Sequence, residues 1–406
     1  MPDLPTRSAF PLYLASSSLW LGGMSIQGFL IPWLLVGILK TPADLYSFSR
    51  VLMELPPMAV LLVGGIFADR MDSRRLLIGL SIAVAIPPLI LAGVVDHLAF
   101  WPIVTFGIAM ALVQAISDPA RQAMMSRVTR TDIQRTVTLT TVVTSFVGLG
   151  GMWLGGQLDT IGLERVLLLQ AAFFLVSVYA VYRLPPMPPQ ATLRPRLTTG
   201  IRAVWRIPLV RNIIGLNFTS GLFNAGAYIV GIPFIVTQVY GGGAEFFAYV
   251  MIAFTAGSVG SNVILFLVMP LVYPGRVYLL LQLTRVVILG LLWLQPPVWL
   301  FFVLMFMWGV NMGVTSTLVR TTVQELAPAA ERAQVLAILL LTFMVGSPIS
   351  TVILGTLIAA TDPLTGLLPG IPVSLAIFAV GVLGSGLWQF KSPSASDRSV
   401  TPSPEA

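Results

Sequence analysis

The chain has 406 residues, of which 56% are hydrophobic and 10% charged; its mean hydropathy is +0.90 and its net charge is +7. Soluble domains carry about 25% charged residues because they present a hydrated surface, so this composition excludes an ordinary soluble protein. With no cysteine and one histidine, the chain alone cannot form disulfides, a thiol nucleophile, a histidine metal cluster or a His-dependent triad. We therefore expect no metal and no cofactor.

Long hydrophobic stretches separated by charges and Pro/Gly turns divide the chain. They far exceed the roughly 9–11 residues of a membrane β-strand, and a backbone in lipid must hydrogen-bond within its own segment, so they predict membrane-spanning helices. The first stretch, 8–39, is too long for a cleavable signal core. The predicted spans are 10–37, 46–67, 76–95, 98–117, 137–157, 163–182, 212–239, 246–270, 277–294, 298–319, 333–359 and 369–390.

Arginine and lysine are distributed unevenly between alternate loops. Most of the 23 basic residues fall in loops on the same side as the N-terminus. Because cytoplasmic loops are enriched in Lys and Arg, this asymmetry predicts an even number of spans with both termini in the cytoplasm. The net positive charge is thus a topology signal, and we expect a lipid bilayer as the surroundings and no nucleic-acid partner. The predicted location is the cell inner membrane.

The chain also divides into parts. We predict an N-terminal six-helix bundle (1–183), a proline-rich cytoplasmic linker (184–211), a C-terminal six-helix bundle (212–391) and a disordered cytoplasmic tail (392–406). Within the linker, Ile201, Val204 and Trp205 alternate with Arg202 and Arg206 at helical spacing. This pattern predicts a short helix lying on the inner membrane surface.

An internal repeat relates the two predicted bundles. A constant offset of 199 residues carries Arg121 onto Arg320 and Gly156 onto Gly355, and each arginine is followed eleven residues later by an acid, the second of which is Glu331. Coincidences at matching places in the topology favour a duplicated six-helix unit.

The loop between spans 2 and 3 carries the most informative motif. It reads Gly65-Ile-Phe-Ala-Asp69-Arg70-Met-Asp72-Ser-Arg74-Arg75. This segment resembles the loop signature Gly-x-x-x-Asp-Arg-x-Gly-Arg-Arg of the major facilitator superfamily, with Asp72 at the glycine position and Ser73 at the first basic position. With aspartate at the glycine position, the loop resembles that of the branch that contains the enterobactin exporter and macrolide-efflux-like proteins. The resemblance implies an all-α membrane protein with twelve transmembrane helices in two pseudo-symmetric six-helix bundles.

By the same resemblance, the loop has a gating role. In the family it latches the outward-open state, and the resemblance carries this role to Asp69, Arg70 and Arg74. The arginines would make charge-assisted bonds to carboxylates and helix ends. The alternative is a positively charged loop that only sets the topology.

A second match follows span 4. The stretch Ser117-Asp118-Pro119-Ala120-Arg121-Gln122-Ala123 resembles a segment common in the same exporter branch, and Arg320 opens its weaker counterpart after span 10, near Glu331. Asp118 and Arg121 are three residues apart and share one helix face. We assign these four residues to gating at the inner face; a helix-end cap is the alternative.

Span 5 is rich in glycine. Gly151-Met-Trp-Leu-Gly155-Gly156 resembles the Gly-Pro-x-x-Gly-Gly signature of antiporter-type members of the superfamily, with Met152 in place of the proline. Small residues four apart let helices approach closely. Close helix packing explains the glycines without any transport role, so both interpretations stay open.

Ionisable groups inside a membrane are costly and usually functional. Glu54 is the only carboxylate near the middle of a predicted span, and Arg50 lies one turn earlier on the same face. We hypothesise that Glu54 takes up and releases a coupling proton while Arg50 tunes its affinity for that proton. A permanent structural ion pair is the alternative. Arg285, within span 9, is expected to snorkel towards the cytoplasmic face.

Polar and aromatic residues on the predicted spans are the candidates for substrate binding, although amides also join helices to one another. They are Gln27, Gln114, Asn217, Asn224, Tyr228, Asn262, Trp308 and Asn311.

The sequence thus predicts a monomeric secondary transporter that couples protons to the export of small amphipathic compounds, siderophore-like or drug-like. An importer or facilitator of a small metabolite is the alternative. A receptor or scaffold would show no solute flux, and a membrane enzyme lacks a catalytic set here.

Overall fold

A computed structural model describes residues 9–68, 71–128, 133–187 and 197–393, with side chains except at 61–68, 126, 133–138 and 197. Within these ranges the chain is helical and contains no strand. The helices are α1 (Ala9–Pro32), α2 (Ala43–Ala68), α3 (Ser73–Ala92), α4 (Phe100–Val128), α5 (Ile133–Gly156), α6 (Leu158–Ile161), α7 (Leu163–Tyr182), α8 (Leu197–Arg206), α9 (Pro208–Gly226), α10 (Ile232–Phe234), α11 (Ala244–Val268), α12 (Pro274–Trp293), α13 (Val298–Leu326), α14 (Arg332–Ala360) and α15 (Gly370–Leu383).

Two of these helices are continued by π-helical turns, which lengthen them to a membrane-spanning reach. The segment Trp33–Ile38 extends α1, and the segments Ala227–Gly231 and Ile235–Val239 flank α10, so that helical backbone runs from Pro208 to Val239. In the described part of the chain, eleven helical segments are long and apolar enough to cross a membrane. The remaining predicted span corresponds to α2, a helix of 26 residues. The protein is therefore a multi-pass membrane protein.

Three predicted span ends are wrong: α13 ends at Leu326 and not at 319, α15 ends at Leu383 and not at 390, and the largest error is at the end of α4. The charges of Asp118 and Arg121 end the predicted fourth span at residue 117, whereas α4 continues through Pro119 to Val128. Charge is a sound boundary signal only where the charged group must reach water. Arg121 is instead buried among polar side chains, so the helix continues past it.

The described chain divides into two compact units. Unit 1 comprises Met1–Pro42, Phe48–Thr192 and Gly241–Ile252, and unit 2 comprises Ala43–Ser47, Leu193–Tyr240 and Ala253–Ala406.

In unit 1, helix α1 packs closely against α5 and α7, and α3 packs against α4 and α7. Glycines make the α1–α5 approach possible. A Cβ atom on Gly151 would lie 2.5 Å from the backbone oxygen of Gly22, and one on Gly155 would lie 2.6 Å from the ring of Phe29. The glycines of span 5 therefore have a packing role, as small residues often do between membrane helices.

The start of α3 is fixed by Asp72. This residue is the N-cap: its Oδ1 accepts hydrogen bonds from the backbone N–H groups of Arg74 (2.9 Å) and Arg75 (3.1 Å). Its Oδ2 accepts from the N–H of Met187 (2.8 Å), and the Met187 carbonyl accepts from the N–H of Ser73 (3.1 Å). The aspartate that replaces the family glycine thus caps α3 and joins it to the segment after α7.

In unit 2, α9 packs against α14, while α12 packs against α13 and α15. Helix α8 rests on α14 through Ala203 and Val204, which are buried, whereas Ile201 and Trp205 are exposed. An ion pair from Arg206 Nη2 to Glu331 Oε2 (2.6 Å) joins α8 to the residue that precedes α14.

Candidate functional site

Unit 1 contains a buried arginine whose side chain is enclosed by hydroxyl groups. Arg121, 6% exposed, donates from Nε to Ser117 (3.1 Å), from Nη1 to Ser16 (3.1 Å) and from Nη2 to Ser81 (3.4 Å). These serines lie on α4, α1 and α3. The guanidinium also lies 4.3 Å from the ring centroid of Trp20, a cation–π geometry. Arg121 thus ties three helices of unit 1 together.

An acidic group lies beside this arginine. The carboxylate of Asp118, one turn earlier on α4, interacts electrostatically with Arg121 and hydrogen-bonds with Gln114 and Trp20. The Tyr13 hydroxyl donates to the Arg121 backbone carbonyl (3.1 Å). The sequence therefore placed Asp118 and Arg121 correctly on one helix face, whereas Gln114 was predicted only as a substrate residue, and Ser16, Ser81 and Trp20 were missed. Serines spread over three helices carry no local signal of convergence.

Unit 2 contains a second buried arginine, and the expectation for it is wrong. Arg285 of α12 does not snorkel: it is 3% exposed, because it is held inside unit 2 by polar groups. Its Nη1 donates to the hydroxyl of Ser220 and to Gln282 Oε1 (3.2 Å), and its Nη2 donates to Asn311 Oδ1 (3.1 Å). Asn311 in turn donates to Thr284 (2.7 Å). The predicted substrate residue Asn311 thus belongs to a polar cluster around a buried charge.

The aromatic candidates lie near this cluster. Trp308 is fully buried, and its indole N–H donates to Asn224 Oδ1 (3.0 Å). Tyr228 stacks on Phe254 with centroids 4.2 Å apart, and Phe254 meets Trp308 edge-on at 6.3 Å. Three of the predicted substrate residues therefore form one connected group in unit 2, with Phe254 as the residue that the sequence interpretation missed.

The remaining candidates are separate from that group. Asn262 on α11 donates to the Ser258 carbonyl (3.0 Å) and accepts from Thr317 of α13 (2.6 Å), which is the helix-joining role that amides often have in membranes. Asn217 is buried on α9. In unit 1, Gln27 is buried on α1, and its Oε1 has no hydrogen-bond partner within the described residues.

The pair expected to couple protons is in contact. Arg50 Nη2 lies 3.5 Å from Glu54 Oε1 on α2, and the two side chains are 22% and 24% exposed. This is a long contact for an Arg–carboxylate pair, for which 2.7–2.9 Å is typical. The two side chains are therefore in contact and partly accessible.

The predicted gating residues have different surroundings. Asp69 and Arg70 lie outside the described residues. Arg74 donates to the carbonyl of Tyr182 at the end of α7 and lies 5.1 Å from the ring centroid of Tyr182. Arg320 is exposed, and Glu331 pairs with Arg206. Their role in gating stays a prediction.

Comparison with known proteins identifies the family. The family model described as Major Facilitator Superfamily matches residues 13–351. This match covers most of the chain, and the chain belongs to the Major Facilitator Superfamily. It is a transporter of that kind, not an enzyme, and the predicted all-α fold is confirmed. No match was found among curated protein sequences.

Solved transporter structures share the fold. The nucleoside transporter NupG is similar with a TM-score of 0.76 at 15% identity, covering 95% of this chain and 100% of that chain. The POT family transporter PepTSo has a TM-score of 0.69 at 13% identity, with coverages of 96% and 99%. A bacterial homolog to the human lysosomal transporter Spinster, inward-facing and occupied, has 0.67 at 12% identity, with coverages of 98% and 100%. At these identities the likeness shows the fold alone.

Proposed function

We propose that this transporter couples protons to the export of small amphipathic compounds, siderophore-like or drug-like, by alternating access. The observation that supports coupling is the Arg50–Glu54 pair: a carboxylate inside an apolar helix, 24% exposed and held by a contact of 3.5 Å. A carboxylate in an apolar helix that remains partly accessible is suited to exchange a proton, whereas a fully enclosed one is not.

Two observations support the direction and the solute class. The Asp72 variant of the loop between α2 and α3 resembles the branch with the enterobactin exporter and macrolide-efflux-like proteins. In unit 2, the partly exposed side chains of Tyr228 and Asn224 lie against the buried rings of Phe254 and Trp308, and an aromatic ring beside a polar group suits an amphipathic solute. We place the protein in the inner membrane as a monomer with both termini in the cytoplasm.

A second candidate is uptake or facilitated passage of a small metabolite. The similarity to NupG, a nucleoside transporter, is the observation that favours it. A planar base would stack on the aromatic rings of unit 2 as well as a drug-like solute would. A receptor or scaffold, the other alternative, predicts no flux of any solute.

Flux measurements in proteoliposomes of known orientation separate these functions. We expect an imposed pH gradient to drive amphipathic solutes in the export direction, and Glu54→Gln to lose at least about tenfold of this gradient-driven rate (about 1.4 kcal/mol). Exchange of solute without a gradient should persist in this variant. Glu164→Gln, at an exposed carboxylate in the first turn of α7, is the matched control and should behave as the parent.

Each alternative has its own outcome. Full gradient-driven transport by Glu54→Gln would eliminate the coupling role of Glu54. Movement of nucleosides or other metabolites in the import direction alone would eliminate export. If the folded protein in the bilayer moves no solute, the receptor or scaffold is the one function of these that remains.

A further inference from the structure

Within the described residues, no carboxylate contacts the guanidinium of Arg285. The acceptors of its guanidinium are a serine hydroxyl and two amide oxygens, all of them neutral. Its Nε is buried and has no hydrogen-bond partner among the described residues. A guanidinium has five N–H donors and stays protonated, so a full positive charge is enclosed here with at least one donor unused.

The five helices of unit 2 named here offer Arg285 no nearby carboxylate. Helices α9, α12, α14 and α15 contain neither Asp nor Glu, and the only acid on α13 is Glu325. Glu325 is fourteen residues beyond Asn311, about 21 Å along a helix, and it accepts a hydrogen bond from Ser392. The nearest neighbours of Arg285 on these helices therefore cannot neutralise it. Unpaired charges are strongly disfavoured in low-dielectric surroundings.

A small cavity lies against this arginine. It has a volume of about 10 Å³, close to the space that one water molecule needs, and Arg285 forms part of its wall. Polar groups share the lining with apolar ones: Ser220, Asn224 and Ser374 lie there with Trp308 and Leu289. Ser374 is 2% exposed and belongs to α15, which contributes the far side of the cavity.

We propose that this cavity binds a small monovalent anionic group, a halide ion or a carboxylate head, as the counter-ion of Arg285. The small volume of the cavity favours a small monovalent group over a phosphate or sulfate. The guanidinium of Arg285 supplies the positive charge at the cavity wall, the Ser374 hydroxyl supplies a donor, and Ser220 and Asn311 hold the guanidinium in place. The site lies wholly within unit 2 and does not depend on the direction of transport.

Thermal unfolding of the detergent-purified full chain tests this site without measuring flux. In each titration, chloride or formate is added in place of a large organic sulfonate that cannot enter the cavity, so that the ionic strength stays fixed. We expect the unfolding midpoint to rise by at least about 3 °C with saturating anion, because a ligand that binds only the folded state stabilises it. No response of the parent protein to either anion would overturn the proposal.

Two variants and one control assign the response to Arg285. Arg285→Gln removes the charge and should abolish the anion response, whereas Arg332→Gln, at an exposed arginine of the same unit, should retain it. Ser374→Asp places a carboxylate on the cavity wall. It should abolish the response and give, without added anion, a midpoint near that of the anion-loaded parent. A full anion response in Arg285→Gln or in Ser374→Asp would overturn the proposal. If Arg285→Gln does not fold, the response of Ser374→Asp decides the test.

The two anions distinguish the source of the group. A larger rise with chloride indicates a resident halide. A larger rise with formate indicates the carboxylate of a solute, and only in that case does the inference rest on the proposed transport function. Because binding is measured in detergent, a protein that binds anion but transports nothing would contradict the proposed function and leave this site intact.

Discussion

Within the described residues, each of the two units buries one arginine, but the units stabilise its charge differently. Arg121 of unit 1 has three serine hydroxyls, the face of Trp20 and the carboxylate of Asp118 one turn away. Arg285 of unit 2 has one hydroxyl and two amide oxygens, and the only acid on α9, α12, α13, α14 and α15 is Glu325, about 21 Å along α13 from Asn311.

The predicted internal repeat does not extend to the buried arginines. The offset of 199 residues places Arg320 opposite Arg121, yet Arg320 is exposed while Arg121 is 6% exposed. The buried charge of unit 2 lies instead on α12. We infer that unit 1 neutralises its arginine internally, whereas unit 2 leaves its arginine available to a ligand.

The largest expected effect is at the arginine of unit 1. Arg121→Met should lower the free energy of unfolding by about 3–5 kcal/mol, because it removes a buried charge and leaves Asp118 without its partner. The repeat-related control, Arg320→Met, should change it by less than about 0.5 kcal/mol, since that side chain is exposed. Denaturant titration in mixed micelles measures both, and equal losses would show that the repeat does preserve the role of this arginine.

A second prediction concerns the close approach of α1 and α5 in unit 1. Gly151→Ala should destabilise the protein by about 1–3 kcal/mol, because its Cβ would lie 2.5 Å from the Gly22 carbonyl oxygen, which is backbone and cannot move aside cheaply. Gly150→Ala, where no atom lies within 4 Å, should be neutral or stabilising by up to about 1 kcal/mol. The same titration compares them, and similar losses would argue against close packing as the reason for the glycines.

A third prediction compares the beginnings of α3 and α12. Asp72 caps α3, whereas α12 begins at Pro274 without a side-chain cap. Asp72→Ala should cost roughly 1–2 kcal/mol of unfolding free energy through the lost cap and the lost bond to Met187. Asp72→Asn keeps an acceptor oxygen and should cost less than half as much. If Asp72→Ala were silent, the aspartate at this family position would need a reason other than capping.

The smallest effect is expected where α8 meets the start of α14 in unit 2. Arg206→Gln should reduce the free energy of unfolding by only about 0.2–1 kcal/mol, because Arg206 is 59% exposed and its pair with Glu331 is screened by water. The loss should shrink in high salt. Arg202→Gln, at an exposed arginine of the same helix, serves as the control. A salt-independent loss above about 2 kcal/mol would mean that the pair has a larger structural role than its exposure suggests.

The membrane spans were predictable from the sequence because the length of an apolar run is a property of the local sequence. The spans were found from runs of apolar residues, and the predicted sixth span at 163–182 coincides with α7. The contact of Arg50 with Glu54 and the shared face of Asp118 and Arg121 were also predictable, because helical geometry fixes which residues three or four apart are neighbours. The end of α4 was not predictable, because charge was used there as the boundary signal. The charge of Arg121 is stabilised by polar side chains on other helices.

By itself, the sequence determined that this chain spans a membrane as helices, and its loop motif indicated the superfamily. Only the tertiary structure decided which polar groups meet. It brought Ser16, Ser81 and Trp20 to Arg121, and it buried Arg285 instead of letting it reach water. The physical reason is that helix formation depends on residues within one turn, whereas the surroundings of a buried charge depend on side chains from helices that are far apart in the chain.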